Sequence, residues 1–433
     1  MKTSIHTKIA AVMILLFLMV VAAQAISRCA DPPDPTEQPW KSGETSVTLS
    51  SDGTLRVSGI GAMEDYSYDP RCGTQSPWNN ATWWRYSKKL YNVKIKITDV
   101  VIEDGVTHIG NFAFSWLRNL KSVTIPASVT SIGEGAFQGS RQPSINVAAD
   151  NAYYSSEDGI LFDKNKTILI LYPRDKQDDD YTIPSSVTEI GKNAFSNCFR
   201  LTSVTIPGSV KTIGQGAFAH CLGLTSVTFE DGLISIGDEA FTHCFSLTSV
   251  TIPSSVTNIG IRAFQRCRSL TSITIPSRVV NIGSEAFDDC TDLASITIED
   301  GVTSIGKYTF ASCTSLMSIT IPKSVMSIGD DAFSGCKNLT AIFVQNPKPP
   351  EVGSNVFDNI NWDHVYLYVP AKSIKAYRQA DGWSDFNSIN AYNMKGIPWL
   401  TLTVLTALLL STVIFVIIKK SGKRRTKGIA VWL

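Results

Sequence analysis

The chain repeats itself with a fixed 23-residue period. The segment SLTSVTIPSSVTNIGIRAFQRC, from Ser246 to Cys267, returns as SLTSITIPSRVVNIGSEAFDDC, from Ser269 to Cys290. A phenylalanine marks the same position in successive units: Phe114, Phe137, Phe195, Phe218, Phe241, Phe264, Phe287, Phe310 and Phe333. Every step is 23 except one of 58, which is 23 plus an insertion of 35. A fixed period of this length predicts a solenoid, because a single unit cannot bury its own apolar face.

Each unit begins with a strand pattern. Leu201, Val204 and Ile206 match the L-x-x-L-x-L strand of leucine-rich repeats, and strand side chains alternate, so these three are predicted to point inward. The strict period predicts one continuous parallel sheet with an inward leucine column: Leu201, Leu224, Leu247, Leu270, Leu293, Leu316 and Leu339.

The outward strand positions are nearly uniform. One column consists of Ser203, Ser226, Ser249, Ser272, Ser295 and Ser318. The next consists of Thr205, Thr228, Thr251, Thr274, Thr297 and Thr320. Small hydroxyl side chains suit a sheet that faces water. Together they also form a broad neutral surface of the kind that solenoids use to bind ligands.

The rest of each unit is predicted from turn chemistry. Pro ends the strand in most units, because it cannot donate a ladder hydrogen bond. Three units carry Glu-Asp-Gly instead: 103–105, 230–232 and 299–301. Calcium binding is one interpretation, but Asp-Gly makes the same turn as Pro-Ser, and we favour the turn. Val256 and Ile259 are expected to point inward, Gly260 to adopt a positive φ, and the A-F-x-x-C segment to form one helical turn.

This pattern resembles the BspA-like leucine-rich repeat family of surface proteins over residues 100–344. The flanking regions, 26–99 and 345–397, are similar to the family's caps in the segments GTLRVSGIGAMEDYSYDPRCGTQSPW and VYLYVPAKSIKAYRQADGWSDFNSI. Solenoids need caps to cover their end units. The resemblance implies a surface adhesin that binds host matrix proteins or other cells.

An insertion at about residues 145–182 also recurs in that family. Within it, Ile160–Phe162 and Ile168–Tyr172 are predicted to form a hairpin with its turn at the sequence DKNK.

Both ends of the chain carry membrane signals. Residues 1–25 have two lysines, an apolar run and the small-residue sequence AQA, which predicts a signal peptide. Residues 398–418 contain no charge and are long enough for a membrane helix. Residues 419–433 form a basic tail, and the positive-inside rule predicts that this tail is cytoplasmic. We therefore expect a single-pass protein of the cell membrane whose repeats are extracellular.

Seven of the nine cysteines form a column three residues after a repeat phenylalanine: Cys198, Cys221, Cys244, Cys267, Cys290, Cys313 and Cys336. Because equivalent residues of stacked units point the same way, we expect buried free thiols rather than disulfides. Cys29 and Cys72 lie outside the column and are candidates for a disulfide in an oxidising compartment.

Three sequons are candidates for glycosylation if the host is eukaryotic: Asn80, Asn165 and Asn338. Asn165 ranks first because it lies in the predicted hairpin turn. Asn338 lies between two residues predicted to be buried, Cys336 and Leu339, so its access is less certain.

The position after the column cysteine is apolar in three successive units, at Phe199, Leu222 and Phe245. The next four units carry Arg, Thr, Thr and Lys there, so the core does not require an apolar residue. We call these three residues the ridge. One hypothesis is an exposed contact for a ligand or a second chain. A second is that the nearby insertion folds over the ridge and covers it, and a third is local variation of the core.

Little in the sequence indicates catalysis or metal binding. His220 and His243 occupy equivalent positions about 5 Å apart and suggest a zinc site, but the same column continues as Arg, Asp and Ser, which indicates a variable exposed face. Phosphate-binding loops and G-x-S-x-G motifs are absent.

Residues 26–397 carry 31 of the 39 basic residues and all 38 acidic residues, which argues against nucleic acid binding. We therefore expect a surface protein that binds a protein or glycan ligand and needs no cofactor. A structural spacer, or a receptor ectodomain that signals through a recruited partner, is the alternative, and an enzyme is the third hypothesis.

Overall fold

The computed structural model describes residues 39–69, 73–74, 76, 78, 97–140 and 143–392. Several sequence predictions lie outside these residues: the signal peptide, Cys29, Cys72, Asn80, the membrane segment 398–418 and the tail 419–433. Of the helices in the described part, none is long and apolar enough to cross a membrane.

The amino-terminal part is a cap followed by the first repeats. Its strands are β1 (Trp40–Ser42), β2 (Thr45–Leu49), β3 (Thr54–Gly59), β4 (Gly61–Ala62), β5 (Tyr68–Asp69), β6 (Gly73–Thr74), β7 (Asp99–Ile102), β8 (Val106–Ile109), β9 (Ser122–Ile125), β10 (Ser131–Ile132) and β11 (Ser144–Val147). In the cap, β1, β2 and β3 pair antiparallel, and β3 then pairs parallel with β7, where the solenoid begins.

The insertion and the remaining repeats continue the fold. The insertion contains β12 (Tyr154–Glu157), β13 (Ile160–Asp163), β14 (Ile168–Leu171) and β15 (Asp180–Thr182). The repeats contain β16 (Glu189–Ile190), β17 (Ser203–Ile206), β18 (Thr212–Ile213), β19 (Ser226–Phe229), β20 (Ser235–Ile236), β21 (Ser249–Val250), β22 (Asn258–Ile259), β23 (Ser272–Ile275), β24 (Asn281–Ile282), β25 (Ser295–Ile298), β26 (Ser304–Ile305), β27 (Ser318–Ile321), β28 (Ser327–Ile328), β29 (Ala341–Val344) and β30 (Glu351–Val352). The carboxy-terminal cap contains β31 (Tyr366–Pro370), a 3-10 turn (Ala371–Ser373), the helix α1 (Ile374–Tyr377) and β32 (Ile389–Tyr392).

Most repeats therefore contribute two strands, one of four residues and one of two; β21, in the ladder of the longer strands, has only two. The inward leucine column, Val204, Ile206, Val256 and Ile259 are all buried, as predicted. The prediction of one continuous sheet is wrong. The short strands form the longer ladder, from β14 through β30, whereas the ladder of the longer strands is interrupted between β21 and β23 and between β25 and β27. The leucine column continues across those breaks, so side-chain packing maintains the stack there.

The third side of each repeat is a pair of tight turns and not the helical turn that we expected. In one repeat Glu239 and His243 adopt the left-handed conformation, with φ of 57° and 60°. These turns point backbone amides at the next repeat: Phe241 N donates to Ala263 O at 2.7 Å, and His243 N to Gln265 O at 2.8 Å. In a helix these amides would instead donate to carbonyls of the same helix and could not reach the next repeat.

The prediction for Gly260 is also wrong, because this glycine is not among the residues with positive φ. Glycine is needed here for close approach. A Cβ at Gly260 would lie 2.5 Å from Asp238 N of the preceding repeat. The left-handed residues of the unit come after the glycine, at positions such as Arg262 and Arg266, with φ of 56° and 60°.

The phenylalanine rings form two stacks, one in each of two cores, and a tryptophan covers the outer end of each stack. Successive centroids lie 4.7–5.9 Å apart from Phe195 to Phe357. Trp78 stacks on Phe114 at 6.2 Å, and Trp383 contacts Phe357 at 5.6 Å. Both indole N–H groups donate to backbone carbonyls in the adjoining turns, at 2.7 and 2.8 Å. Buried indoles need such partners, and here they also close the outer ends of the two apolar stacks.

The insertion forms the predicted hairpin, in which β13 pairs antiparallel with β14. β14 also pairs parallel with β16, so the hairpin joins the ladder of short strands. Side chains of β13 alternate between two separate cores: Leu161 packs into the amino-terminal core, and Ile160 and Phe162 pack into the carboxy-terminal core. Tyr172 extends the carboxy-terminal ring stack, 4.8 Å from Phe195.

Candidate ligand-binding surface

The predicted threonine column lies on the outer face of the longer strands. Thr228, Thr251, Thr274 and Thr297 are exposed, and Thr205 and Thr320 are half-buried. Strand pairing aligns Thr205 with Thr228 and Thr274 with Thr297. The structure thus forms the outward hydroxyl face expected from the sequence.

The same column continues as an aromatic pair that the sequence analysis missed. Thr320 is in register with Phe343, which is in register with Tyr368. The two rings stack with centroids 4.7 Å apart, and Tyr392 meets Phe343 edge-on at 6.3 Å. The register that follows from the repeat period could have identified Phe343, but the cap residues Tyr368 and Tyr392 follow no period.

A second threonine column, just before the strand, is structural. The Thr225 and Thr248 hydroxyls donate to the backbone carbonyls of Thr202 and Thr225, at 3.0 and 3.1 Å. Thr271 continues the chain toward Thr248 at 3.4 Å. Each of these hydroxyls satisfies a carbonyl of the preceding repeat, whereas two later repeats carry Ala294 and Met317 at this position.

The ridge remains partly exposed. Phe199 and Leu222 are each 38% exposed, and Phe245 is half-buried. The insertion reaches the ridge through Arg174, whose guanidinium carbon lies 4.0 Å from the centre of the Phe199 ring. The insertion hairpin itself is packed between the two cores.

His220 and His243 lie beside the ridge as a stacked pair. Their ring centroids are 4.5 Å apart with planes at 24°, close to the expected separation. His243 Nε2 lies 3.0 Å from Arg266 Nη1, and His243 Nδ1 lies 3.0 Å from Thr242 Oγ1. The ring of His243 also contacts Phe245, at 5.6 Å.

Burial is the main cause that lowers the pKa of both histidines. For His220 the carboxylate of Glu239 opposes this effect. For His243 the positive charges of His220, Arg266 and Arg268 lower the pKa further, and Asp289 opposes them. These effects favour the neutral form of both imidazoles.

A charged network borders the histidines around an open cavity of about 250 Å³. Arg262 makes a bidentate contact with Glu285, at 2.8 and 2.9 Å. Arg262 also lies 3.7 Å from Glu239. Among the described residues no group of three or more His, Cys, Asp or Glu side chains is arranged to hold a metal ion.

A larger groove, of about 580 Å³, lies at the ends of β7, β9 and β11. Glu103, Asp104 and Asp150 border it.

The cysteine column consists of buried free thiols, as expected. Most of them donate to the phenylalanine carbonyl of the preceding repeat; Cys221 Sγ, for example, lies 3.0 Å from Phe195 O. Burial raises the pKa of Cys221 and of Cys336 to about 12. A thiol that stays protonated is a poor nucleophile, so this column has a structural role.

The Glu-Asp-Gly triplets form the turns that we favoured. Gly105, Gly232 and Gly301 have φ between 102° and 139°. The Glu230 carboxylate accepts a hydrogen bond from Gly208 N at 3.0 Å, and that of Glu299 from Ser277 N at 2.9 Å. The acidic side chains thus cap the turn of the preceding repeat.

Two of the sequons are exposed. Asn165 lies in the turn between β13 and β14, as predicted. Asn338 is exposed too, but its Nδ2 donates to Thr314 O at 2.8 Å. Modification of Asn165 ahead of Asn338 remains a prediction.

Comparison with solved structures finds bacterial leucine-rich repeat proteins. The chain is 24% identical to a leucine-rich repeat protein from Eubacterium ventriosum, with 74% of this chain and 93% of that chain covered and a TM-score of 0.44. It is 30% identical to the leucine-rich repeat protein of T. pallidum, over 44% of this chain and 89% of that chain, with a TM-score of 0.38. A leucine-rich cell surface protein from Faecalibacterium prausnitzii is 23% identical, over 84% and 97% of the two chains, with a TM-score of 0.34.

Among curated proteins none matches this chain significantly. The model of the BspA type leucine-rich repeat region (6 copies) matches residues 86–165, 177–294 and 257–380. These matches span most of the solenoid and more than half of the whole chain. Together with the repeated two-strand unit, they show that the chain belongs to the BspA type leucine-rich repeat family.

Proposed function

We propose that this protein is anchored in the cell membrane by residues 398–418 and displays its repeats outside the cell to bind a protein or glycan ligand. The signal peptide and the charge-free segment of the sequence support the location. The outward hydroxyl face and the ridge support binding, because solenoids present extended surfaces of this kind. Adhesion to a matrix protein or another cell is the form of binding that we favour.

The ridge is the observation that carries this proposal. Leu222 lies between Phe199 and Phe245 in the stack of repeats, and Phe199 and Leu222 are each 38% exposed. Apolar side chains grouped at one place on a surface are typical of interaction sites. Four later repeats keep the same backbone with polar residues at this position. The ridge is therefore not a requirement of the fold.

The test is a binding screen of residues 26–397 against matrix proteins and glycans, followed by Phe199→Ser/Phe245→Ser. We expect the double variant to lose ligand binding with an unchanged melting temperature. The matched control is Thr291→Ser/Lys337→Ser, which changes the same position in other repeats and is expected to bind normally.

Two results would count against the proposal. A melting temperature lowered by several degrees would show that the ridge is covered and structural. Unchanged binding and unchanged stability would show that the ridge has no role in either.

A further inference from the structure

One of the stacked histidines beside the ridge, His243, has hydrogen bonds that define its protonation state. A guanidinium group only donates hydrogen bonds, so His243 Nε2 must accept from Arg266 Nη1 at 3.0 Å. The proton of the neutral ring is then on Nδ1 and is donated to Thr242 Oγ1 at 3.0 Å. Thr242 in turn donates to Gln265 O at 3.5 Å. This series of hydrogen bonds, from Arg266 through His243 and Thr242 to Gln265, is complete only while His243 is neutral.

Acidification breaks this arrangement. A protonated His243 donates from both nitrogens, so Arg266 loses its acceptor and faces a positive charge instead. His220, whose ring lies 4.5 Å away, becomes a second imidazolium against the first. Three cations would then lie side by side, and the nearby carboxylates of Glu239 and Asp289 would offset them only in part.

The acidic groups around the pair are already engaged. Glu239 faces His220 and lies 3.7 Å from Arg262, which also holds Glu285. Asp289 lies 2.6 Å from Arg268 and 3.7 Å from Arg266.

Asp288, which accepts a hydrogen bond from Gln265 at 3.0 Å, is the remaining carboxyl group nearby. Burial raises the pKa of Asp288, so its carboxylate is protonated at a higher pH than that of an exposed aspartate. A fall in pH thus adds two positive charges to the cluster and supplies no new anion.

We propose that His220, His243 and Arg266, which we call the histidine cluster, bind an anionic group, a carboxylate or a sulfate, when the medium is acidic and release it at neutral pH. The adjoining cavity of about 250 Å³ has room for such a group, and the two carboxylates that also line it, Glu239 and Glu285, both contact Arg262. Phe245, 5.6 Å from His243, offers an apolar contact for the ring of an acidic sugar. The anion can thus come from an acidic glycan or from solution.

The test measures binding by calorimetry to the full chain in a nonionic detergent, at about pH 5 and about pH 7.5, on either side of the ordinary histidine pKa. The probes are a hyaluronan tetrasaccharide, which carries carboxylates, inorganic sulfate, and neutral chitotetraose as control. Because protons and anion bind together, we expect binding to be about tenfold tighter at the lower pH. Acid-dependent binding of sulfate as well identifies a general anion site, and binding of the tetrasaccharide alone identifies a glycan site.

The matched variant is His220→Asn/His243→Asn, because Asn197 occupies the same left-handed turn position in another repeat, with φ of 64°. We expect it to abolish the acid-dependent gain. His364→Asn, remote from the cluster, is the control and should retain the gain. Phe199→Ser should retain it too, so failure of the ridge hypothesis and failure of this proposal can be told apart.

A second measurement needs no variant. Histidine ring resonances followed by NMR during a pH titration should show a higher pKa for His220 and His243 in sulfate than in chloride of equal ionic strength, because bound anion stabilises the charged form. Equal titration curves in both salts, together with equal affinities at both pH values, would overturn the proposal.

Discussion

The repeats before and after the insertion use the same backbone but fill one core position differently. We call residues 97–147 the amino-terminal block and residues 183–357 the carboxy-terminal block. After the insertion this position is cysteine in seven successive repeats, from Cys198 to Cys336. The thiol donates to the carbonyl of the preceding repeat, as from Cys267 Sγ to Phe241 O at 3.2 Å. Before it, the position is Leu117 and then Ser140, whose hydroxyl donates to Phe137 O within its own turn. A side chain at this position can thus bond either to the preceding repeat or to its own turn.

The ring stacks differ in the same way. Phe114 and Phe137 are 6.0 Å apart, whereas the carboxy-terminal stack begins at 4.7 Å and continues through Phe357. The insertion strand β13 separates the two cores, because its side chains alternate between them. Strict repetition therefore gives one continuous core, and a single insertion is enough to divide it.

The largest expected effect comes from removing a ring in the middle of the longer stack. Phe264 is fully buried between rings at 5.2 and 5.3 Å. Phe264→Ala should lower the free energy of unfolding by about 3–5 kcal/mol, because it leaves a cavity in a close-packed core. Urea unfolding measures this loss. Phe137→Ala, with one stacked ring at 6.0 Å, should cost less, and an equal cost would contradict the contrast between the blocks.

The next effect concerns the junction of the blocks. Asn151 is fully buried, donates to Pro126 O and Val129 O at 2.8 and 2.9 Å, and accepts two backbone amides at 2.8 Å. Asn151→Ala should cost about 3 kcal/mol, because buried polar groups lose their partners. We expect calorimetry to show a separate, earlier transition for the amino-terminal block.

The matched control for the junction is Asn346→Ala. Asn346 makes a similar bond to Val325 O, at 3.0 Å, before the carboxy-terminal cap. This variant should destabilise the other end and leave the amino-terminal transition in place. A single transition in Asn151→Ala would show that the two cores melt together.

A smaller effect is expected from the thiol column. Cys267→Ala removes a buried sulfur and its bond to Phe241 O, and it should lower stability by about 1–2 kcal/mol in urea unfolding. Ser140→Cys, which extends the thiol column into the amino-terminal block, should change stability by less than about 0.5 kcal/mol, because a thiol is well tolerated in such a site. A large loss in Ser140→Cys would show that the two blocks need different groups here.

The smallest effect should come from the ion pair that spans the insertion, Lys192 with Glu134. Both side chains are at least half exposed, so Glu134→Ala should cost only about 0.5 kcal/mol. The Lys192 hydrogen bond and charge lower the pKa of Glu134 from its ordinary value of 4.5. The ion pair therefore stabilises the folded protein at neutral pH. This stabilisation is lost as the pH falls below 4.5 and through the lowered pKa of Glu134. A double-mutant cycle at several pH values checks it, and a coupling that persists at low pH would contradict it.

The repeat unit could be predicted largely from the sequence. Burial of Leu201, Val204 and Ile206, the free thiols of the column and the insertion hairpin all agree with the structure. The predictions for Gly260 and for the turn after it are wrong for the same reason. Both conformations depend on the backbone of a neighbouring repeat, which the sequence of a single unit does not include.

What the sequence by itself determined is which side chains face inward, because a fixed repeat period places equivalent residues in columns and every unit must hide the same apolar face. Only the tertiary structure decided how the columns are joined and where they end. Thiols and threonine hydroxyls bond to carbonyls of the preceding repeat, and the insertion divides the core. Trp78 covers the outer end of the amino-terminal ring stack, and Trp383 covers that of the carboxy-terminal stack. The tryptophans and the insertion follow no period, and the thiol and hydroxyl bonds depend on the geometry between units. The sequence of one repeat shows neither feature.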